Sequence, residues 1–264
     1  HLYEAPTDVP AIRMLAEVAA RLGRDEDALN LLERCLELAP DFMPARYNLA
    51  VVLHRRNDAT RALAEMERLL AADPRNPNYR NLAAVILSRV GQYERSSRMY
   101  ADLLKELPGN AKIWLSYGHV LKTEGRQDDS IAAYRRAIER DPGFGEAYWS
   151  LANLKTFRFT EADLAAMLGG VDNPLVDEAN RVHLHFALGK ALEDRDEIAE
   201  SWHYYERGNA LKRSESRYRP EIIETNTAKQ IEVCTSDFFQ RRTGWGVPQP
   251  DPIFILGLPR SGST

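Results

Sequence analysis

The sequence predicts an all-α fold, a right-handed solenoid of stacked antiparallel helix pairs, followed by the first strand and phosphate loop of a truncated α/β domain. Three observations predict it. Pro40, Pro74, Pro108 and Pro142 fall 34 residues apart, a period of the length one helix pair occupies. Within each period two apolar stripes recur at helical spacing, as in Leu15, Ala19 and Leu22 followed by Ala28, Leu31, Leu32 and Cys35. Near the other end, Pro252-Ile253-Phe254-Ile255-Leu256-Gly257 is a short apolar, β-rich run leading into a glycine-punctuated turn.

The elements follow in order. Four periods cover residues 9–42, 43–76, 77–110 and 111–144. Eight residues before each column proline stand Leu32, Met66, Tyr100 and Tyr134, all large; four residues earlier stand Ala28, Ala62, Ser96 and Ser130, all small. The small residue lets the second helix approach the first, the large one fills the gap beside it, and the proline ends the second helix. Gly23, residues 56–60, Gly91-Gln92 and Gly125-Arg126 are stop-and-start signals between the two helices. Helix pairs of this size cannot bury both faces alone, so they stack on their neighbours.

Trp114, Tyr117-Gly118, Leu121, Ser130, Tyr134, Ala137 and Pro142 carry the best copy of this pattern, which resembles the tetratricopeptide repeat. An irregular part spans 145–213: a fifth first helix at 145–155, a loop over 157–174 marked by Gly169-Gly170 and Asn173-Pro174 around a short helix at 160–168, and a further pair carrying Leu184, Leu188-Gly189, Leu192, Ser201 and Tyr205. Residues 214–250 read as a connection, with one amphipathic helix at 220–242 bearing Ile223, Ile231, Cys234 and Phe239. The segment 251–264 opens a second domain.

Composition bounds the function. The chain has 264 residues, 44% hydrophobic and 28% charged, enough for a packed core. Its 35 Lys+Arg against 39 Asp+Glu give a charge of −4, which argues against nucleic-acid binding. No apolar run approaches the roughly 20 residues of a membrane span. Cys35 and Cys234 fit neither a disulfide framework nor a zinc cluster and read as buried small residues in a reducing compartment, so a cytoplasmic location is expected. The chain opens at His1 without an initiator Met and closes at Thr264 inside a motif, and reads as a piece of a longer protein.

First helices of such a stack line its inner surface, so equivalent positions form ladders. One reads Arg21, Arg55, Arg89, Thr123; its neighbour Ala20, His54, Ser88, Lys122; a third Arg13, Tyr47, Asn81, Leu115, Trp149. Two readings stay open. These are solvated helix ends favoured by the dipole, or Arg21, Tyr47, His54, Arg55, Asn81, Arg89, Lys122 and Trp149 form a groove for an acidic extended peptide. The Lys and Asn arrangement of carboxylate-clamp repeats is not present. His183 and His185, two apart on a helix, point to different faces and make no metal site. Trp202, Tyr204 and Tyr205 read as core, and His54 and His119 as groove or surface residues.

A strand followed by a Gly-rich turn can wrap backbone amides around a phosphate. Gly257, Gly262 and Thr264 fit a P-loop-like pattern, but Ser263 stands where its lysine would be, which argues against a nucleotide hydrolase; Arg260 supplies a displaced cation. The run Phe254-Ile-Leu-Gly-Leu-Pro-Arg-Ser-Gly-Ser-Thr264 resembles the 5′-phosphosulfate loop of sulfotransferases, whose pattern is P-[KR]-[ST]-G-[ST]-[ST]. Segments 154–163, 185–194 and 205–210 resemble bacterial proteins that join tetratricopeptide repeats to a tyrosylprotein-sulfotransferase-like domain. The resemblance implies that Pro259, Arg260, Ser261, Gly262, Ser263 and Thr264 bind the donor 3′-phosphoadenosine 5′-phosphosulfate, with Arg260 as the catalytic cation and no metal. The full-length protein would then transfer a sulfuryl group to a hydroxyl on an acceptor protein or peptide presented by the repeats, and this piece alone would be inert. The alternative is a non-enzymatic repeat scaffold that binds an acidic peptide.

Overall fold

The computed structural model describes residues 1–216 and 219–245. The chain divides into two units, residues 1–214 and 215–264. The first unit is built from α1 (Val9–Arg21), α2 (Asp25–Leu38), α3 (Met43–Arg55), α4 (Ala59–Ala72), α5 (Pro77–Arg89), α6 (Tyr93–Glu106), α7 (Ala111–Thr123), α8 (Gln127–Arg140), α9 (Gly145–Ala152), α10 (Glu161–Asp172), α11 (Glu178–Glu193) and α12 (Ile198–Glu215). Through α8, odd-numbered helices are first helices and even-numbered ones second helices, and each pair packs on the next element; beyond that, α9 packs on α11 and α10 on α11.

The first helices α1, α3, α5, α7 and α11 end alike. Gly23, Asn57, Gly91, Gly125 and Asp196 hold φ between 63° and 81°, which turns the chain so that a following amide reaches back five residues. Arg24 N–H donates to the Ala19 carbonyl, Asp58 to Leu53, Gln92 to Leu87 and Arg126 to Leu121, each at 2.9 Å, and Glu197 to Leu192 at 3.0 Å. These bonds satisfy carbonyls that a helix end otherwise leaves open. Second helices stop differently. Ala39, Asp73, Leu107 and Asp141 each precede a column proline and lie at φ −124° to −142°, because the proline ring excludes the residue before it from the α region.

The helix pairs lock through matched bulk. Ala28, Ala62, Ser96 and Ser130 are buried, and so are Leu32, Met66, Tyr100 and Tyr134. Ser96 Oγ donates to the Ala84 carbonyl and Ser201 Oγ to the Gly189 carbonyl, both at 2.7 Å. A Cβ on Gly118 would stand 2.4 Å from the Tyr134 ring, and one on Gly189 would stand 2.7 Å from the Tyr205 ring. In these two pairs the tyrosine ring takes the space that a first-helix Cβ would need. Where the second helix carries Leu32 or Met66, Ala16 and Ala50 fill the equivalent first-helix positions, both buried.

The irregular part has its own logic. A Cβ on Gly145 would meet the Asn180 carbonyl at 2.1 Å, and Trp149 lies against Phe186 with ring centroids 5.6 Å apart. These contacts run in the same order along α9 and α11, so the two helices lie parallel and close. The α10 helix begins with Thr160 and Asp163 capping each other; Arg135 of α8 then ion-pairs with Asp163. Gly169 and Gly170, expected to form a loop, are helical. Gly170 is small because a Cβ there would press on Leu184 at 2.8 Å, a packing demand that in sequence looks the same as a turn signal. Trp202, expected in the core, is 69% exposed on α12, while Tyr204 and Tyr205 are half-buried.

In the second unit the helix expected over 220–242 is two: α13 (Pro220–Val233) and α14 (Ser236–Gln240). Thr235 breaks it, because its hydroxyl accepts from Phe238 N–H at 3.2 Å and starts a new helix. Neither helix buries a residue. Cys35 is buried as expected, but Cys234 is exposed. The expected strand at 252–257 and the loop residues Pro259, Arg260, Ser261, Gly262, Ser263 and Thr264 lie outside the described residues. Among the described residues there is no strand.

Candidate functional site

The first helices bring part of the expected groove together. Arg21 from α1 and Tyr47 and Arg55 from α3 line one depression of about 270 Å³, with Ala16, Ala20 and Asn48 in its walls. The helical period does this: residues 47, 48, 51, 52 and 55 share one face of α3, and that face meets residues 16, 17, 20 and 21 of α1. Tyr47 stacks on Tyr79 of α5 with centroids 5.6 Å apart. Burial, with the neighbouring Tyr79, raises the Tyr47 hydroxyl above its ordinary pKa, so it stays a neutral donor.

The expected basic character is largely cancelled. Arg21 pairs with Glu17 at 2.7 Å, and Arg13 reaches the same carboxylate at 3.3 Å. Arg55 ion-pairs with Asp25 and donates to the Ala20 carbonyl at 2.8 Å. Arg89 donates through Nε to Asn57 Oδ1 at 2.9 Å. Arg55 and Arg89 thus tie each helix pair to the turn of the pair before it, which explains their 34-residue spacing. His54 lies beside Arg89, and burial together with that charge holds its imidazole below the ordinary value.

The remaining candidates separate. Trp149 lines a second depression of about 260 Å³ with Val182, His183, Phe186 and Lys212. Asn81 and Lys122 line neither depression. His119 is bound to the Tyr134 hydroxyl at 2.9 Å and is a packing residue. His183 and His185 do face different cavities. Among the described residues no cluster of His, Cys, Asp or Glu can hold a metal, and no helix is long and apolar enough to cross a membrane.

One residue of the depression has no ladder to announce it. Asn48 lines the cavity, and its amide Nδ2 is shielded from solvent without a hydrogen-bond partner. Its equivalents 34, 68 and 102 residues on are Leu82, Ser116 and Ser150, so no column of like residues marks it. An unpaired amide donor beside an aromatic ring can receive a backbone carbonyl from an extended chain.

Comparison with known proteins fits this geometry. Two family models described as tetratricopeptide repeat match residues 22–86 and 81–154. An uncharacterized protein of Aquifex aeolicus (strain VF5) is 26% identical over 168 residues, 62% of this chain and 22% of that protein, so the chain spans 22% of the relative's length. Among solved structures, MamA (41-end) of Desulfovibrio magneticus RS-1 is 16% identical with a TM-score of 0.50, covering 78% of this chain and 96% of that one. YrrB, described as a TPR protein with an unusual peptide-binding site, is 17% identical with a TM-score of 0.50, covering 76% and 94%.

These matches correct the expected fusion to a sulfotransferase domain. The family models are of the tetratricopeptide repeat and YrrB is described as a TPR protein, and the segments that suggested the fusion are used inside the stack. Leu154 is buried, Phe157 lies under the Arg135 guanidinium, Asp163 is held by Arg135, and Gly189 interlocks with Tyr205. Their order reflects the packing of two irregular helix pairs. The helical stack of this chain is a tetratricopeptide-repeat solenoid.

Proposed function

We propose that the chain is a repeat scaffold that binds an extended peptide of a partner protein in the depression between α1 and α3. The observation that carries the reading is the unpartnered Asn48 amide beside Tyr47. A buried unpaired amide costs about 1–3 kcal/mol, a cost that a bound peptide carbonyl relieves. Tyr47 offers a ring that loses little entropy on binding. YrrB, a neighbour in fold, is described as having a peptide-binding site, which agrees with this use of the surface. An acidic preference would rest on Arg21 and Arg55. Both already have a carboxylate partner, so binding exchanges one carboxylate for another and the preference is small.

The test uses peptides selected from a random-sequence display library on the wild-type chain, titrated into wild type and Asn48→Ala. The substitution is expected to weaken binding about tenfold while leaving the melting temperature unchanged or higher, since it removes an orphan donor. Undiminished affinity in Asn48→Ala overturns the proposal.

A further inference from the structure

A further cavity, of about 440 Å³, lies at the far end of the stack between the end of α10, α11 and α12. Its polar lining is Arg181, His185, Arg207 and Ser214, with Val171 and Leu211 as apolar walls. His185 is only 6% exposed, and its Nδ1 has no partner. Arg181 Nε is likewise shielded and unpartnered. Several guanidinium groups elsewhere in this unit are paired with carboxylates: Arg46 with Glu65, Arg80 with Glu106, Arg135 with Asp163 and Arg195 with Glu161. Among the described residues, Arg181 and Arg207 have no carboxylate within ion-pair distance.

The fold holds these groups together for reasons unrelated to their charge. Gly208 lets α12 approach α11, since a Cβ there would stand 3.2 Å from His185 Cβ. Tyr204 lies against the imidazole with centroids 5.9 Å apart. The acids nearby do not neutralise the cluster. Asp172 acts on His185 only at a distance, and Glu178 is engaged by Ser214 Oγ at 3.4 Å. Burial first, then Arg207, His203 and Arg181, hold the imidazole below its ordinary value, with Asp172 opposing. Two guanidiniums and an imidazole on one concave surface without a counter-charge are the donor set of an oxyanion site.

We infer that the cavity between α10, α11 and α12 binds an oxyanionic group, phosphate or carboxylate, carried on a ligand larger than the bare ion. Arg181 and Arg207 supply charged N–H donors, and His185 supplies a neutral donor that becomes cationic as the anion settles beside it. The apolar walls face the rest of the ligand. The inference is independent of the α1–α3 depression, which lies at the other end of the unit.

The probes are sodium sulfate, sodium phosphate and sodium succinate, titrated into the whole chain at constant ionic strength and followed by amide and imidazole NMR resonances. Saturable shifts confined to residues 171–214 are expected. Sulfate and phosphate binding more tightly than succinate assigns a phosphate group, and the reverse assigns a carboxylate. Arg207→Gln, an exposed position that does not disturb packing, is expected to weaken binding about tenfold, and Arg181→Gln by a similar factor. Sulfate keeps its charge between pH 5 and 8, so its affinity is expected to rise as pH falls and His185 gains a proton; the groups facing that imidazole are Asp172, Arg181, His203, Tyr204 and Arg207. Shifts that track ionic strength alone, or binding unchanged in both variants, overturn the inference.

Discussion

Gly118→Ala tests the matched-bulk rule that locks the helix pairs. The new methyl would stand 2.4 and 2.6 Å from two Tyr134 ring carbons, well inside contact distance. Tyr134 is fully buried and cannot retreat without breaking its 2.9 Å hydrogen bond to His119. Burial pushes the Tyr134 hydroxyl up to about 12, so it is neutral and needs that partner at every working pH. Tyr100 shows an arrangement open to a tyrosine opposite alanine: it stands across from Ala84, both buried, and is hydrogen-bonded to Ser116. Tyr134 would have to rebuild such a partner. Overpacking of this kind costs about 1–3 kcal/mol. Tyr134→Leu alone leaves a void and an unpartnered His119 and costs a similar amount. The double variant restores the combination that Ala16 and Leu32 already use, so the two losses are predicted not to add, with a coupling of about 1 kcal/mol or more. Urea unfolding followed by circular dichroism, with amide exchange in α7 and α8, reads both quantities. A neutral Gly118→Ala, or strictly additive losses in the double variant, would refute the rule.

Other expectations follow from the same contacts. Asp196 holds φ at 63° with no glycine to ease it, so Asp196→Gly should stabilise the chain by about 0.5–1 kcal/mol in a urea melt, whereas Gly125→Ala should cost about 1 kcal/mol. Arg46 and Glu65 form a pair with side chains 10% and 14% exposed. Arg46→Met should cost about 2 kcal/mol, less than a fully orphaned charge because Arg68 still holds Glu65 at 2.9 Å, and Arg46→Met with Glu65→Leu should recover most of it. Burial raises the Asp163 carboxyl, but hydrogen bonds from Arg135 and Thr160 outweigh it and leave the group below its ordinary value. Its contribution is complete above the unfolded pKa of about 4 and is lost as pH falls through the lower folded value, so Asp163→Asn should flatten the acid limb of stability measured from pH 5 to 2.

The regular pairs were legible because their constraints are local and recur. A proline forces the residue before it out of the helix, and a small residue opposite a large one shows in every period. The irregular part was not, because its constraints are made across space. Gly145, Gly170 and Gly208 are small for the sake of Asn180, Leu184 and His185, neighbours that no spacing reveals. The arginine ladder was visible, but its use was not: Arg55 and Arg89 answer to the turn of the preceding pair, and the carboxylates that cancel the inner charge lie off the ladder. Asn48, Arg181 and Arg207 escaped for the opposite reason, having no repeated equivalents. Thr235 split a helix whose apolar spacing ran straight through it, since a hydroxyl cap carries no hydrophobic signal.

The most direct measurement is amide chemical-shift mapping of a library-selected peptide on the isotopically labelled chain. Perturbations concentrated on residues 16–21 and 47–55, with the Asn48 side-chain amide moving downfield as it gains a carbonyl, are the predicted result. A map centred on the second helices α2 and α4, with the Asn48 amide unmoved at saturation, would contradict the account.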